Sequence, residues 1–214
     1  MKIALLIIAA GRSARLGQPK QLLPFKNTFL LDYIINECQS SEVGDIFVVL
    51  GANRELIEPR LNHSIIKNTF YNPNWIDGMG TSLACGIFKI LNENYHNVIV
   101  ILSDQPFFTK HLLNKIIEHH KNTLARIIVS KYQKGMGPPT FFDKSLFSEL
   151  SKLKGDVGAK PIIKRYFKEI ETSDKFPIQL RPQKELGSDI LQSPDDLEAT
   201  FRNKRNNQSN KWRK

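Results

Sequence analysis

Four apolar stretches punctuate the chain: "IALLIIAA" from Ile3 to Ala10, "DIFVVLG" from Asp45 to Gly51, "NVIVILSD" from Asn97 to Asp104 and "RIIVS" from Arg126 to Ser130. None shows the polar alternation of a strand with one wet face. Continuous β-branched runs bounded by turn residues are the pattern of strands covered on both faces, as in parallel sheets. Between them apolar residues recur at helical spacing in "TFLLDYIINECQSS", "NRELIEPRLN", "TSLACGIFKILNEN" and "TKHLLNKIIEHHKN". Alternating strands and helices predict an α/β fold: three layers, with a mostly parallel Rossmann-like sheet, right-handed crossovers and helices on both faces.

After "GMGPPTFF" the pattern changes to two helical segments, "KSLFSELSKL" and "AKPIIKRYFKEI", then a short candidate strand in "FPIQL". "SPDDLEATFRNK" reads as a helix start, with Ser193 as N-cap, Pro194 at the first helical position, and Asp195 and Asp196 near the positive end of the dipole. No internal repeat or long linker divides the chain, so one domain over residues 1–201 is expected. The opening "MKIALLIIAAG" imitates a secretory leader, but it is short and β-branched and ends in a glycine turn. A central strand is the better reading.

Composition narrows the class. The 214 residues, 41% apolar and 24% charged, suit one soluble globular core, and no run approaches the roughly 20 apolar residues of a membrane span. The net charge of +10 is concentrated at the end, where residues 202–214 carry Arg202, Lys204, Arg205, Lys211, Arg213 and Lys214 without an acid. Such a tail is expected to be a frayed, disordered end; sequence-blind affinity for a polyanion is the alternative. Cys38 and Cys85 are the two cysteines, too few for a disulfide framework or a C-x-x-C zinc site, which points to a reducing, cytoplasmic compartment. His63, His96, His111, His119 and His120 show no metal-ligand spacing and are expected at the surface or on helix flanks.

The candidate chemistry lies where the first strand ends. "AAGRSARLGQPKQLLPF" crowds Arg12, Arg15 and Lys20 beside Gly11 and Gly17, and like charges repel unless an anion lies between them. In an open parallel sheet, ligands bind beyond the carboxyl ends of the strands, where a glycine turn can aim backbone N–H groups at phosphate. There is neither a G-x-x-x-x-G-K-[ST] P-loop nor a G-x-G-x-x-G dinucleotide fingerprint, which makes a dehydrogenase an unfavoured rival. Asp104 ends the third apolar stretch before Pro106, a position suited to holding a magnesium ion or to capping a turn.

"IIAAGRSARLGQPKQLLPF" resembles the signature loop of the MobA-like nucleotidyltransferases, L-A-[AG]-G-x-S-x-R-[ML]-G-x-x-K, in its A-A-G form that of the molybdenum cofactor cytidylyltransferase branch. "NPNWIDGMGTSLACGI", "LSDQPF", "GPPTFFDKSLFSEL" and "LKGDVGAKPII" match in order, so the resemblance covers nearly all of the chain but the tail. It implies a nucleotide-diphospho-sugar transferase-like fold and transfer of CMP from CTP to a phosphorylated pterin bearing molybdenum. It also implies a Mg2+ cofactor and a molybdoenzyme as recipient of the product.

The resemblance further implies that Arg15 and Lys20 grip the triphosphate, and that Ala9, Ala10, Gly11, Arg12 and Ser13 form the cradle, with Arg12 the most solvent-exposed of them. Gly78, Gly80 and Ser82 would lie beside the base, approached closely by its flat face. Pro138, Asp156 and Lys160 would shape the acceptor side, against which stands the plainer reading of G-D-x-G as a turn. Asp104 would ligate the metal together with Asp189; the third position of the family's usual D-I-D is Leu191. That departure keeps open a nucleotide-binding protein with weak or no turnover, beside guanylyl or sugar-phosphate transfer.

Overall fold

The computed structural model of the protein describes residues 1–41, 44–61, 69–132 and 135–167. Asp189, Leu191, the segments "FPIQL" and "SPDDLEATFRNK" and the basic tail lie outside the described residues, as does the side chain of Arg15. In chain order the elements are β1 (Ile3–Ala9), the paired β2 (Pro24–Phe25) and β3 (Thr28–Phe29), α1 (Leu30–Gln39) and β4 (Asp45–Leu50). Then come the short α2 (Arg54–Ile57), β5 (Thr69–Tyr71), α3 (Met79–Leu91), β6 (Asn97–Leu102) and α4 (Lys110–Thr123). The paired β7 (Ile127–Tyr132) and β8 (Gly135–Asp143), α5 (Phe147–Leu150) and α6 (Lys160–Arg165) follow.

Six strands form one sheet in the order β5-β4-β1-β6-β8-β7. β1 pairs in parallel with β4 on one side and β6 on the other, so Leu6 lies abreast of both Phe47 and Val100. β8 alone runs against the rest, inserted between β6 and β7. All seven residues of β1 are buried. Ile3, Leu5 and Ile7 pack with Leu31 and Ile34 of α1 and Leu113 and Ile116 of α4; Ala4, Leu6 and Ile8 pack with Leu83, Ile87 and Ile90 of α3 and Leu150 of α5. The continuous hydrophobicity of the first stretch is the signature of this two-sided burial, and each fully buried Leu or Ile contributes about 1.5–3 kcal/mol against its exposed state.

The departures from the sequence pattern have local causes. Thr28 and Phe29, read as helix, are extended because they pair with Phe25 and Pro24 across a turn in which Lys26 takes φ 50°. "NRELIEPRLN" is cut to four helical residues and a 3-10 turn over Glu58–Arg60, where Pro59 enters. β8 carries two prolines that disguise it: Pro138 and Pro139, joined by a cis peptide, fall where the β7 register slips between Val129 and Ser130, so their missing donors cost no ladder bond. Ser130 Oγ donates to Pro139 O at 2.7 Å. Cys38 and Cys85 are free thiols, and no helix among the described residues is long and apolar enough to cross a membrane.

His119 and His120, expected at the surface or on helix flanks, are buried near the end of α4. His120 Nδ1 lies 3.0 Å from Ala125 O, with its ring 4.4 Å from that of Phe141. Burial, with His120 beside it, pushes the His119 pKa down. An unfolded chain takes up that proton at about pH 6.5 while the folded state resists it, so the stability is intact above that pH and declines as pH falls through and below it. The His119→Leu variant is expected to lose less stability than the wild type between pH 7 and pH 5.5, as read from urea midpoints; equal losses would show that His119 titrates alike in both states.

Candidate functional site

The strand order reverses between β1 and β6: from β1 the chain builds outward through β4 and β5, then returns to place β6 on the other flank. The connections leaving β1 and β6 therefore part company, and a cleft of about 460 Å³ opens beyond their carboxyl ends. Ser103 N donates to Ile8 O at 3.1 Å, extending the β6–β1 pairing past the strand and bringing Asp104 out level with the exit of β1.

The loop leaving β1 is folded back on itself. Ser13 and Gly17 both take left-handed φ, at 56° and 65°, on either side of the 3-10 turn Ala14–Leu16. Lys20 N donates to Ser13 Oγ at 3.0 Å, which closes the loop. Lys20 then reaches across the cleft, its Nζ 2.6 Å from Asp104 Oδ2, with the two side chains 27% and 24% exposed. Behind the loop the fully buried Gln21 donates through Nε2 to Ala9 O at 2.7 Å and to Gly11 O at 3.3 Å, while its Oε1 has no partner among the described residues. Arg12 is exposed at the rim, as anticipated.

The opposite wall runs from Trp75 through Met79 to Ser82. Asn72, buried, organises it: Nδ2 lies 3.0 Å from both Thr81 Oγ1 and Ser82 Oγ, and Oδ1 accepts from Asn74 N at 3.0 Å. Ser82 thus accepts from Asn72, which leaves its own hydroxyl proton to donate. Neither Thr81 nor Ser82 caps α3, whose N-cap is Gly78; the N-terminus of the helix is met by another part of the chain. Met79 N donates to Asp156 Oδ1 at 3.3 Å and Gly80 N to Gly155 O at 2.7 Å.

That docking explains the two glycines differently from the base contact expected of them. Gly78 has φ 105°, and a Cβ on it would lie 2.5 Å from Gly155 C; one on Gly80 would lie 2.7 Å from Lys154 O. The close approach is made by the protein's own backbone at Lys154–Asp156. An alanine in a helix ordinarily gains up to about 1 kcal/mol over glycine, but here overpacking against backbone opposes it by about 1–3 kcal/mol. Gly80→Ala is therefore expected to destabilise the protein in urea and to speed hydrogen exchange at the amides of Met79 and residue 80, which donate to the docked segment; a neutral or stabilising effect would show the loop is not seated as described.

Of the residues singled out in the sequence, Ala10, Gly11, Arg12, Lys20, Gly78, Ser82, Asp104 and Asp156 line the cleft. Ala9 is buried in β1 beneath it, Ser13 serves as the acceptor that closes the loop, and Gly80 is buried under the Lys154–Asp156 backbone. Pro138, in β8, and Lys160, exposed at the start of α6, are not in the lining. Gln21, Asn72, Trp75 and Asp77 were given no role from sequence, although all four stand in the quoted motifs. No group of three or more His, Cys, Asp or Glu side chains suited to a metal occurs among the described residues. Asp104 by itself fits one place in a Mg2+ shell, which takes one or two carboxylates and fills the rest with water and phosphate oxygens.

A mostly parallel sheet with an ordering reversal, a back-folded basic loop on one flank and a carboxylate on the other suits an α/β protein of the nucleotidyltransferase type. The chain belongs to the MobA-like NTP transferase family, whose domain model matches residues 5–170. It is 26% identical over 169 residues to the purine catabolism protein PucB of Bacillus subtilis, covering 73% of this chain and 78% of that one. It is also 27% identical over 168 residues to nicotine blue oxidoreductase of Paenarthrobacter nicotinovorans, covering 74% and 80%. Among solved structures, Rv0371c of Mycobacterium tuberculosis shares the fold with a TM-score of 0.70 at 23% identity over 94% of this chain and 99% of that one. The same protein was also solved as a complex with manganese, with a TM-score of 0.65 at 24% identity over 77% and 83% of the two chains. The fold and family expected from the sequence are those found.

Proposed function

We propose that this nucleotidyltransferase moves CMP from CTP onto the phosphate of a molybdenum-bearing pterin, with Mg2+, in the cytoplasm. The observation that carries the reading is the meeting of Lys20 and Asp104 across the cleft at the strand reversal, joined to the A-A-G form of the loop. An acceptor phosphate oxygen attacks the α-phosphorus of CTP, the bond from that phosphorus to the β-bridging oxygen breaks, and pyrophosphate leaves with the electron pair. Lys20 exchanges Asp104 for phosphate oxygens and opposes the charge that builds on them. The loop from Ala10 to Ser13 holds the phosphate tail, with Arg15 as a second cation. Asp104, with Asp189 from the segment outside the described residues, would hold the metal, which when bound screens the phosphate oxygens from each other. The Trp75–Ser82 wall orients the base through the Ser82 hydroxyl, and Asp156 borders the acceptor.

The lining favours a metal-bound nucleotide over a bare one. Among the described side chains lining the cleft, Asp77, Asp104 and Asp156 stand beside Arg12 and Lys20, so a naked triphosphate meets carboxylates that a metal ion would screen. A second reading draws on the likeness to nicotine blue oxidoreductase: a cleft of this family put to redox use. The loop after β1 lacks the G-x-G-x-x-G that dinucleotide binding usually needs, which keeps this reading second.

Thermal-shift titration with CTP, GTP, ATP, UTP and NADPH, with and without Mg2+, separates the two readings. CTP with Mg2+ is expected to stabilise most; stabilisation by GTP alone would remove the cytidylyl assignment, and by NADPH alone the transferase one. In a pyrophosphate-release assay with the pterin acceptor, Lys20→Ala and Asp104→Ala are each expected to lower turnover about a hundredfold or more. Their circular dichroism should stay native, since each partner keeps access to water.

A further inference from the structure

We propose that Gln21 is a positioning residue: its buried side-chain amide turns the backbone N–H groups of Ala10 and Arg12 into the cleft to receive phosphate oxygens. The inference rests on the phosphate-binding role proposed above for the loop after β1. Gln21 is fully buried and absent from the cleft lining, yet Nε2 bonds Ala9 O and Gly11 O. The amide orientation is fixed by those two acceptors, because the flipped side chain would present an oxygen to both carbonyls. In a trans peptide the C=O and the following N–H point in opposite directions, and Pro138–Pro139 is the one cis bond among the described residues. Holding the carbonyls of Ala9 and Gly11 toward Gln21 therefore directs the N–H groups of Ala10 and Arg12 the other way.

Both residues line the cleft, and neither N–H has an acceptor among the described residues. The ladder of β1 to β6 ends at Ile8 and its ladder to β4 at Ala9; beyond it Ala52 N donates to Ala10 O at 3.1 Å, a contact that uses the carbonyl and leaves the Ala10 and Arg12 N–H groups outside the pairing. Two outward amides at alternate residues, beside a cation, offer an anion two donors whose direction the backbone sets. Gln21 supplies the side-chain donor that reaches both carbonyls from behind. It touches no phosphate and moves no proton.

The test uses the full chain. Calorimetric titration with magnesium pyrophosphate is expected to give an affinity at least tenfold weaker for Gln21→Met, a variant of similar shape without the donor, while its melting temperature stays within a few degrees of wild type. The KM for the triphosphate should rise by a similar factor with kcat changed less than threefold, since cradle contacts serve ground and transition states alike. In the wild-type protein, nitrogen–proton spectra should show the amide signals of Ala10 and Arg12 moving on pyrophosphate addition. An unchanged pyrophosphate affinity in Gln21→Met overturns the proposal, as does a wild-type spectrum in which those two signals stay still, whether or not the variant folds. Tight pyrophosphate binding without turnover of any triphosphate would instead sink the proposed reaction and leave the role of Gln21 standing.

Discussion

Strand β1 hydrogen-bonds to parallel neighbours on both sides and is buried along its whole length, so its direction and register are fixed before any loop is placed. Register with β6 runs from Ile3 opposite Asn97 to Ile8 opposite Leu102, and a single further bond from Ser103 to Ile8 sets how far Asp104 stands beyond the sheet. A slip of one residue would send every β1 side chain into the wrong layer. The sheet core is thus what holds the carboxylate on one flank at ion-pair distance from the cation on the other. Crossovers that diverge from β1 leave nothing else to fill the space between them.

A sheet edge supplies a floor and one side, and the second side has to be brought from elsewhere. Here it is the turn from Trp75 into α3, pinned from within by Asn72 and from without by Lys154–Asp156. The polar N-terminus of α3 is taken up by Gly155 O and the Asp156 carboxylate. It is not left open toward the cleft, so on the proposed function anion binding would fall to the loop after β1 and to Lys20. The same docking joins a residue late in the chain to the wall expected to face the base. A disturbance at either is felt by both, because backbone packed on glycine has no side chain to give way.

Burial on both faces was legible in the sequence because it leaves unbroken apolar runs, and the reversal of strand order was legible only as a class property. β5 and β8 were not legible. Three residues at a sheet edge carry too little pattern, and in β8 Gly135, Gly137, Pro138 and Pro139 mimic a loop while pairing around a slipped register. Lys20 and Asp104 stood out because charge concentrated at the ends of apolar runs has no packing purpose. Gln21 and Asn72 did not, since a buried amide that satisfies backbone or hydroxyl groups looks in sequence like any polar residue of a turn. The glycines of "DGMG" were recognised as marking a close approach, but nothing in one linear stretch says whether ligand or protein makes it.

The Lys20–Asp104 pair sits at an intermediate depth that matters for its use. Fully exposed, the pair would contribute well under 1 kcal/mol and would do little to preorganise either side chain. Fully buried, parting it would leave an uncompensated charge and cost about 3–5 kcal/mol. With roughly a quarter of each side chain in contact with solvent, both groups are aimed into the cleft yet can trade partners against water. On the proposed function, a metal-bound phosphate would offer each a replacement of the proper sign at once, oxygen anions for Lys20 and a cation for Asp104. Such an exchange would conserve charge pairing throughout, which neither the metal nor the phosphate could achieve singly, and it would let a cleft lined by Asp77, Asp104 and Asp156 receive an anion.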